Sequence, residues 1–130
     1  MKIELQNKLF SDYPKIFKQK DLSMRETCMM WGIETGDGWY WLINNLCKAI
    51  QDYIDWNKKD QVEASQVKEK FGRLCFYTDG SDDMVEGIIS FAEMLSVEIC
   101  EDCGSLDDVT SEGSWVRTRC KNCRNELSKK

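Results

Sequence analysis

Residues 100–123, CEDCGSLDDVTSEGSWVRTRCKNC, contain the pattern that decides the fold of this chain. The segment begins and ends with a Cys-x-x-Cys pair, and 16 residues separate the two pairs. This spacing is typical of four-cysteine zinc sites, because each short pair lets two thiolates reach one ion from a tight turn. The sequence therefore predicts that one Zn²⁺ is bound by Cys100, Cys103, Cys120 and Cys123.

The predicted ion has a structural role. Catalytic zinc keeps an open coordination position and usually has a ligand other than sulfur, whereas here four cysteines close the sphere and the chain has no histidine. Between the pairs we predict a hairpin that turns at residues 112–114, and from Cys120 a short helix. This order predicts a treble-clef or zinc-ribbon module over residues 100–130. Redox chemistry of the two pairs is the alternative.

A long amphipathic acidic helix, residues 82–99, is predicted immediately before the module. Asp79, Gly80 and Ser81 end a strand and cap this helix. Its polar side carries Asp82, Glu86 and Glu93. Its apolar residues recur on the other side: Met84, Val85, Ile88, Phe91, Ala92, Leu95 and Ile99.

Farther upstream, residues 62–78 alternate in hydrophobicity and predict a β-hairpin that turns near Gly72. A second long helix is predicted after Asp37, whose carboxylate can cap the first backbone N–H groups. Residues 3–10 predict a short leading helix that ends before Pro14. The second helix has an apolar stripe: Trp39, Leu42, Ile43, Leu46, Ile50, Tyr53 and Ile54.

These elements predict an α+β fold with N-terminal helices, a β-hairpin, a long amphipathic acidic helix and a C-terminal treble-clef or zinc-ribbon module. A chain of 130 residues, 42% hydrophobic and 32% charged, is long enough for one core and one small module. We expect residues 1–99 to form the α+β core and residues 100–130 a zinc-binding module fused to it, since no linker composition separates them.

The absence of histidine argues against most familiar enzymes. It removes Ser-His-Asp and Cys-His catalysis and HExxH metalloprotease chemistry. Cys28 is a conceivable nucleophile near Arg25, but its apolar neighbours favour a buried, inert thiol. No two carboxylates are fixed in one cleft by the pattern. We predict that the protein is not an enzyme.

The cysteines and the termini bear on the compartment. Seven cysteines, an odd number, do not suit an extracellular disulfide framework. The first residues lack the apolar run of a secretory signal, and the longest apolar stretch, residues 39–43, is far shorter than the about 20 residues of a membrane span. We expect a cytoplasmic protein without membrane contact.

The charge distribution predicts a basic partner. The formal net charge is -5, and residues 74–116 contain no Lys or Arg. Such an acidic stretch either serves solubility or docks on a Lys/Arg-rich surface. The candidate partner-binding residues are Asp79, Asp82, Asp83, Glu86, Glu93, Glu101 and Asp102, together with Trp41.

Trp41 is a candidate anchor because it lies about 200° around the helix from Trp39, among polar residues. The favoured interpretation is that the N-terminal segment or the hairpin covers it. We assign Trp31, Trp39 and Trp115 to core or hairpin packing.

The end of the chain reverses the charge, and its basic residues are Arg117, Arg119, Lys121, Arg124, Lys129 and Lys130. They are the only credible nucleic-acid footprint of the sequence. On an acidic protein we expect them instead to neutralise the zinc–thiolate cluster, so direct nucleic-acid binding is not expected.

Three blocks carry a resemblance to a known family: SMRETCMMWGIETGDGWYWLINNL (23–46), QVKEKFGRLCFYTDG (66–80) and EGIISFAEMLS (86–96). Together with the cysteine pairs, they resemble a family of small uncharacterised proteins encoded by bacteriophages and prophages. The similarity covers most of residues 11–127. It implies the cytoplasm of a bacterial host cell, and small acidic phage proteins of this size often resemble inhibitors of host defence, including anti-CRISPR proteins.

From these features we expect a non-enzymatic, monomeric or weakly dimeric inhibitor. It would bind a host defence protein with a basic surface, such as a CRISPR effector (Cas) nuclease, and block DNA loading or activation. The alternative is a zinc-ribbon nucleic-acid-binding or transcription accessory protein that places Arg117, Arg119, Lys121 and Arg124 on phosphates.

Overall fold

Helices and short strands alternate along the chain. The computed structural model describes the backbone of residues 1–128 and the side chains of residues 1–126. The predicted α+β class is confirmed. In chain order, the elements are α1 (Ile3–Asp12), β1 (Ile33–Glu34), α2 (Tyr40–Asn57), β2 (Glu63–Lys70), β3 (Arg73–Asp79), α3 (Asp83–Ser96), β4 (Thr110–Glu112), β5 (Arg117–Arg119) and α4 (Lys121–Ser128).

The predicted hairpin is confirmed as β2 and β3, which pair antiparallel from Glu63 opposite Asp79 to Lys70 opposite Arg73. Gly72 provides the turn with a φ of +81°, a conformation that glycine adopts without steric cost. The two-residue strand β1 pairs with β2 in parallel and completes a sheet of order β1-β2-β3. Strand β1 was not predicted, because a strand of two residues has no periodicity to detect.

Helix α2 packs its predicted apolar stripe into the core. Trp39, just before the helix, is fully buried, and its indole N–H donates to the carbonyl of Ile99 at 2.9 Å. The helix begins differently from the prediction. A 3-10 turn, Asp37–Trp39, precedes it, and the Asp37 carboxylate accepts the backbone N–H of Lys2 at 2.7 Å instead of capping α2.

Helix α3 lies against both α2 and β3. It is capped by Asp82, whose carboxylate accepts the N–H of Val85 at 2.9 Å. It ends at Ser96 rather than at residue 99. The predicted division of its faces is partly wrong, because Met84 and Phe91 are exposed while Glu93 turns toward β3 and accepts the N–H of Phe76 at 2.9 Å.

Three further packing predictions are wrong. Trp31 and Trp115 are exposed rather than packed, and Cys28 is exposed rather than buried. Trp31 lies in the 3-10 turn Met29–Trp31, in which Met29 takes the core position. Trp115 lies in the turn between β4 and β5, which leaves most of its side chain exposed.

The C-terminal hairpin and helix have the predicted order, with β4 and β5 antiparallel and α4 following. The hairpin contacts the tip of the first hairpin, where the Thr118 hydroxyl donates to the carbonyl of Gly72. A Cβ on Gly72 would lie 2.8 Å from that hydroxyl oxygen, so the two turns fit closely. Among the described residues, no helix has the length and apolar character needed to cross a membrane.

Candidate metal centre

Four cysteine sulfurs meet at one point of the C-terminal module. The Sγ atoms of Cys100, Cys103, Cys120 and Cys123 all lie within 4.8 Å of one another, and those of Cys103 and Cys120 are 3.6 Å apart. A tetrahedral ion with metal–sulfur bonds of about 2.3 Å has sulfur–sulfur edges of about 3.8 Å, whereas a disulfide needs about 2.0 Å. The four sulfurs therefore have the spacing of a metal site, and all seven cysteines are free thiols.

Two tight turns bring the sulfurs together. In the first, which follows α3, the N–H of Cys100 donates to the carbonyl of Ser105 and the N–H of Gly104 donates to that of Cys100, both at 2.8 Å. Gly104 has a φ of +82° that closes this knuckle. The second pair lies at the start of α4, where the N–H of Arg124 donates to the carbonyl of Cys120 at 3.0 Å. The hairpin β4–β5 carries the chain from one pair to the other.

The thiols differ in acidity. The N–H of Cys123, directed at the Cys120 sulfur, lowers the pKa of Cys120 to about 7. Burial first, and then the neighbouring sulfurs, raise the pKa of Cys123. At Cys103 the Ser105 N–H lowers the pKa, but burial and the neighbouring sulfurs outweigh it and the pKa is raised. Four ionised thiols cannot share this volume without a cation, so the site suits a divalent metal.

This is the one group of three or more cysteine or carboxylate side chains in the described residues that can hold a metal ion. The donors are all sulfur, and the ligand set is complete at four. A closed all-sulfur set leaves no position for substrate, so the arrangement suits an ion that stabilises the fold.

The knuckle is joined to the start of α2 through Glu101. This residue is buried, its carboxylate accepts the N–H of Gly36 at 2.8 Å, and its carbonyl accepts the N–H of Gly38 at 2.7 Å. A Cβ on Gly38 would lie 2.1 Å from the carbonyl oxygen of Cys100. Gly36, Asp37 and Gly38 were predicted to be a helix start. In the sequence, only the two glycines indicated that another backbone segment approaches this position.

Glu101 is therefore not part of an exposed docking surface, contrary to the prediction. Burial is the largest influence on its carboxyl and raises the pKa, although the Gly36 N–H and Arg117 act in the opposite direction. The Arg117 guanidinium lies 3.5 Å from the carboxylate and so supplies a partly compensating charge.

The basic residues of the module are paired with its acids. Arg119 binds Asp102 at 2.7 Å, Arg117 approaches the same carboxylate at 3.6 Å, and Arg124 binds Asp108 at 3.3 Å. The expected role was to neutralise the zinc–thiolate cluster, but the ion pairs of these arginines are with carboxylates of the module. Lys121 is exposed, and Lys129 and Lys130 lie outside the described residues.

Most of the other candidate acids have partners inside the molecule. Asp79 accepts from the Gln19 amide at 2.8 Å, Asp82 also accepts the Tyr53 hydroxyl at 2.7 Å, and Glu86 accepts the Ser81 hydroxyl. Among the described residues, none forms a hydrogen bond or ion pair with the Asp83 carboxylate, which is exposed. The eight candidates thus differ in environment: Glu101 is buried and Asp82 and Glu93 are half-buried, whereas the others are exposed.

Trp41 is 65% exposed, so the favoured expectation that another layer covers it is wrong. The N-terminal helix instead packs on another side of α2, where Lys8 lies over the ring of Tyr40. The open side of Trp41 faces the region between α2 and α3.

Comparisons with protein-family models, curated proteins and solved structures find no match to the chain, so the phage-family resemblance stays an expectation.

Proposed function

We propose that the protein acts without catalysis, by binding another protein, and that one Zn²⁺ at the four cysteines holds its C-terminal module in shape. Zinc is the metal that best suits four thiolates in a closed tetrahedral set. Its role is structural. A segment of about 30 residues buries too little apolar surface to be stable alone, so the free energy of zinc binding contributes to its folding.

The observation that carries the binding proposal is the exposed apolar surface at Trp41. Large exposed apolar patches on a soluble domain commonly mark interaction sites, and Trp is enriched among the residues that dominate binding energy. Phe91, 58% exposed, lies on the same surface. The surrounding segment 74–116 supplies carboxylates and no basic residue. This combination favours a partner with both apolar and basic groups.

We further propose, following the phage-protein resemblance, that the partner is a host defence protein of the CRISPR effector nuclease class. Such a nuclease carries a positively charged channel for nucleic acid. An acidic protein seated there would block DNA loading or activation. The proposal requires no catalytic group on the inhibitor.

Inhibition of DNA cleavage by a panel of purified CRISPR effector nucleases tests this function. The zinc-loaded parent should inhibit at least one nuclease, and the double variant Asp83→Lys/Glu86→Lys should inhibit about tenfold less. Asp82 is left unchanged because it caps α3. The matched control, Asp12→Lys/Glu34→Lys, makes the same charge change at exposed positions on α1 and β1. Absence of inhibition across the panel would overturn the defence-nuclease assignment.

The nucleic-acid alternative is disfavoured by the ion pairs of the module. Arg117, Arg119 and Arg124 would have to leave Asp102 and Asp108 to reach phosphates. Salt-dependent binding of a DNA duplex to the parent, lost on Lys121→Glu, would favour the alternative instead.

A further inference from the structure

The surface at Trp41 is one part of a longer groove between α2 and α3. Three adjoining cavities, of about 600, 250 and 180 Å³, follow one another along the two helices. The first two share Ala49, Ile88 and Phe91, and the second and third share Trp41. Shared lining residues thus place the three hollows in a row, from Asp83 in the first turn of α3 to Leu106 beside the cysteine knuckle.

Apolar side chains line this groove and remain open to solvent. Met84, Phe91 and Leu106 are 56%, 58% and 74% exposed, while Leu42, Leu46 and Ala92 form the buried floor. Met84 and Phe91 come from the apolar side of α3, which is wider than the part that contacts the sheet. The covered part, with Val85 and Ile89, faces the core. The remaining part has no covering element among the described residues.

The groove lies between two helices and has the length of a short third helix. From Asp83 to Leu95, α3 advances about 18 Å at 1.5 Å per residue, and the groove continues beyond this to Leu106. A helix of four to five turns has this length. A helix lying in a groove between two helices places residues at i, i+3 or i+4, and i+7 into successive cavities.

The charged residues on and near the two helices are mostly acidic, and this favours a partner segment with basic residues. Asp83 is the charged residue among those that line the groove, and Glu98, exposed, follows the C-terminal end of α3. Helix α3 has no basic residue, and α2 has only Lys48 against Asp52 and Asp55. A partner helix with Lys or Arg beside its apolar stripe complements this rim. A second copy of the chain would instead bring two acidic rims together, which opposes self-association.

We infer that the α2–α3 groove binds a basic amphipathic helix of a partner protein, with Trp41 and Phe91 as the main contacts. This inference rests on the proposed function and assigns its surface and the chemistry of its partner. The groove ends on the cysteine knuckle, so the metal module forms one wall of the binding site.

Three synthetic peptides of about 16 residues test the inference. The first has Leu at i, i+3, i+4 and i+7 and Lys on the flanks; the second replaces Lys by Glu; the third has the composition of the first in an order without a stripe. Each is fluorescently labelled and titrated with the zinc-loaded full chain. The striped Lys peptide should bind at least about tenfold more tightly than the other two.

Side-chain variants locate the contact. Trp41→Ala and Phe91→Ala should each weaken binding of the striped Lys peptide about tenfold, since both side chains are exposed and their removal spares the core. Trp115→Ala, which removes a side chain that is 80% exposed at the tip of the second hairpin, is the matched control and should change nothing. If one variant fails to fold by circular dichroism, the other still gives the answer.

Three outcomes would overturn the inference. Equal binding of the striped and scrambled Lys peptides would indicate unspecific charge attraction. Equal effects of Phe91→Ala and Trp115→Ala would place the contact elsewhere. A parent dimer in sedimentation equilibrium that Phe91→Ala dissociates would make a second copy the occupant. If no peptide binds but the protein still inhibits a nuclease, the inference is wrong and the proposed function stands. If the striped Lys peptide binds but no nuclease is inhibited, only the nuclease assignment is wrong.

Discussion

At the scale of single residues, the proposed zinc site depends on all four cysteines. Cys100→Ser should abolish stoichiometric zinc binding, because Cys100 is one of the four sulfurs within 4.8 Å of one another and three remaining sulfurs hold zinc far less tightly. Metal content by mass spectrometry should fall from one zinc per chain to near zero. Cys28→Ser, at an exposed thiol outside the cluster, is the control and should retain the metal. Full zinc content in Cys100→Ser would contradict the ligand assignment.

Two glycines give opposite predictions for the same substitution. Gly38→Ala should lower the free energy of unfolding by at least about 2 kcal/mol, because the added Cβ would meet the Cys100 carbonyl oxygen at 2.1 Å. Gly87→Ala adds a Cβ with no atom within 4 Å in the middle of α3. It should raise the free energy of unfolding by about 0.5–1 kcal/mol through helix propensity. Denaturant titration of the zinc-loaded proteins measures both, and equal tolerance would refute the close approach of the knuckle to Gly38.

At the scale of elements, α3 depends on its cap. The N–H of Val85 first, and then the hydroxyl of Tyr53, lower the pKa of Asp82 below its usual 3.8. A lowered pKa means that the charged carboxylate stabilises the fold above the unfolded pKa, and that this contribution is lost as the pH falls through the folded pKa. Asp82→Ala should therefore lower the melting temperature by a few degrees at neutral pH.

Asp82→Asn separates charge from capping, because Asn is also a good N-cap. Its melting temperature should lie between those of the parent and Asp82→Ala at neutral pH. The gap from the parent should stay constant down to about pH 5 and narrow below about pH 4, where this carboxylate becomes protonated in the unfolded parent and, at lower pH, in the folded parent as well. Both proteins are compared at the same pH, so that acid release of metal affects them equally. A gap that widens in acid would contradict the direction of the pKa shift.

Long periodic elements were predictable from the sequence, and contacts between elements were not. The stripe of α2, the hairpin at Gly72 and the spacing of the cysteine pairs are local patterns. The helix, the hairpin and the meeting of the four sulfurs are confirmed. The buried position of Glu101 and the exposure of Trp41 depend on which segments pack together, and no local pattern contains this information. The predicted division of α3 into an apolar and an acidic side was partly wrong for the same reason. Hydrophobic periodicity reports the apolar side of a helix, but not how much of it another element covers.

At the scale of the whole molecule, the metal module and the core share hydrogen bonds. Residues 36–38 bond to both the side chain and the backbone of Glu101, Trp39 bonds to Ile99, and Gly72 bonds to Thr118. Two places on the core, the start of α2 and the tip of the first hairpin, therefore contact the segment that the proposed metal would organise.

Metal removal should consequently destabilise the start of α2 as well as the module, but it should leave the sheet intact. Chelation should expose the amides of residues 100–124 to hydrogen exchange and should also release the amides of Gly36 and Gly38, whose acceptors belong to Glu101. The β2–β3 ladder should keep its protection, because its partners and the side chains beneath it belong to the core. Exchange measured residue by residue with and without a chelator distinguishes three cases. Loss of protection in residues 100–124 and at Gly36 and Gly38 is the expected case. Loss of protection confined to residues 100–124 would mean that the Glu101 contacts do not stabilise the start of α2. Loss of protection throughout the β2–β3 ladder would mean that residues 1–99 do not fold without the metal.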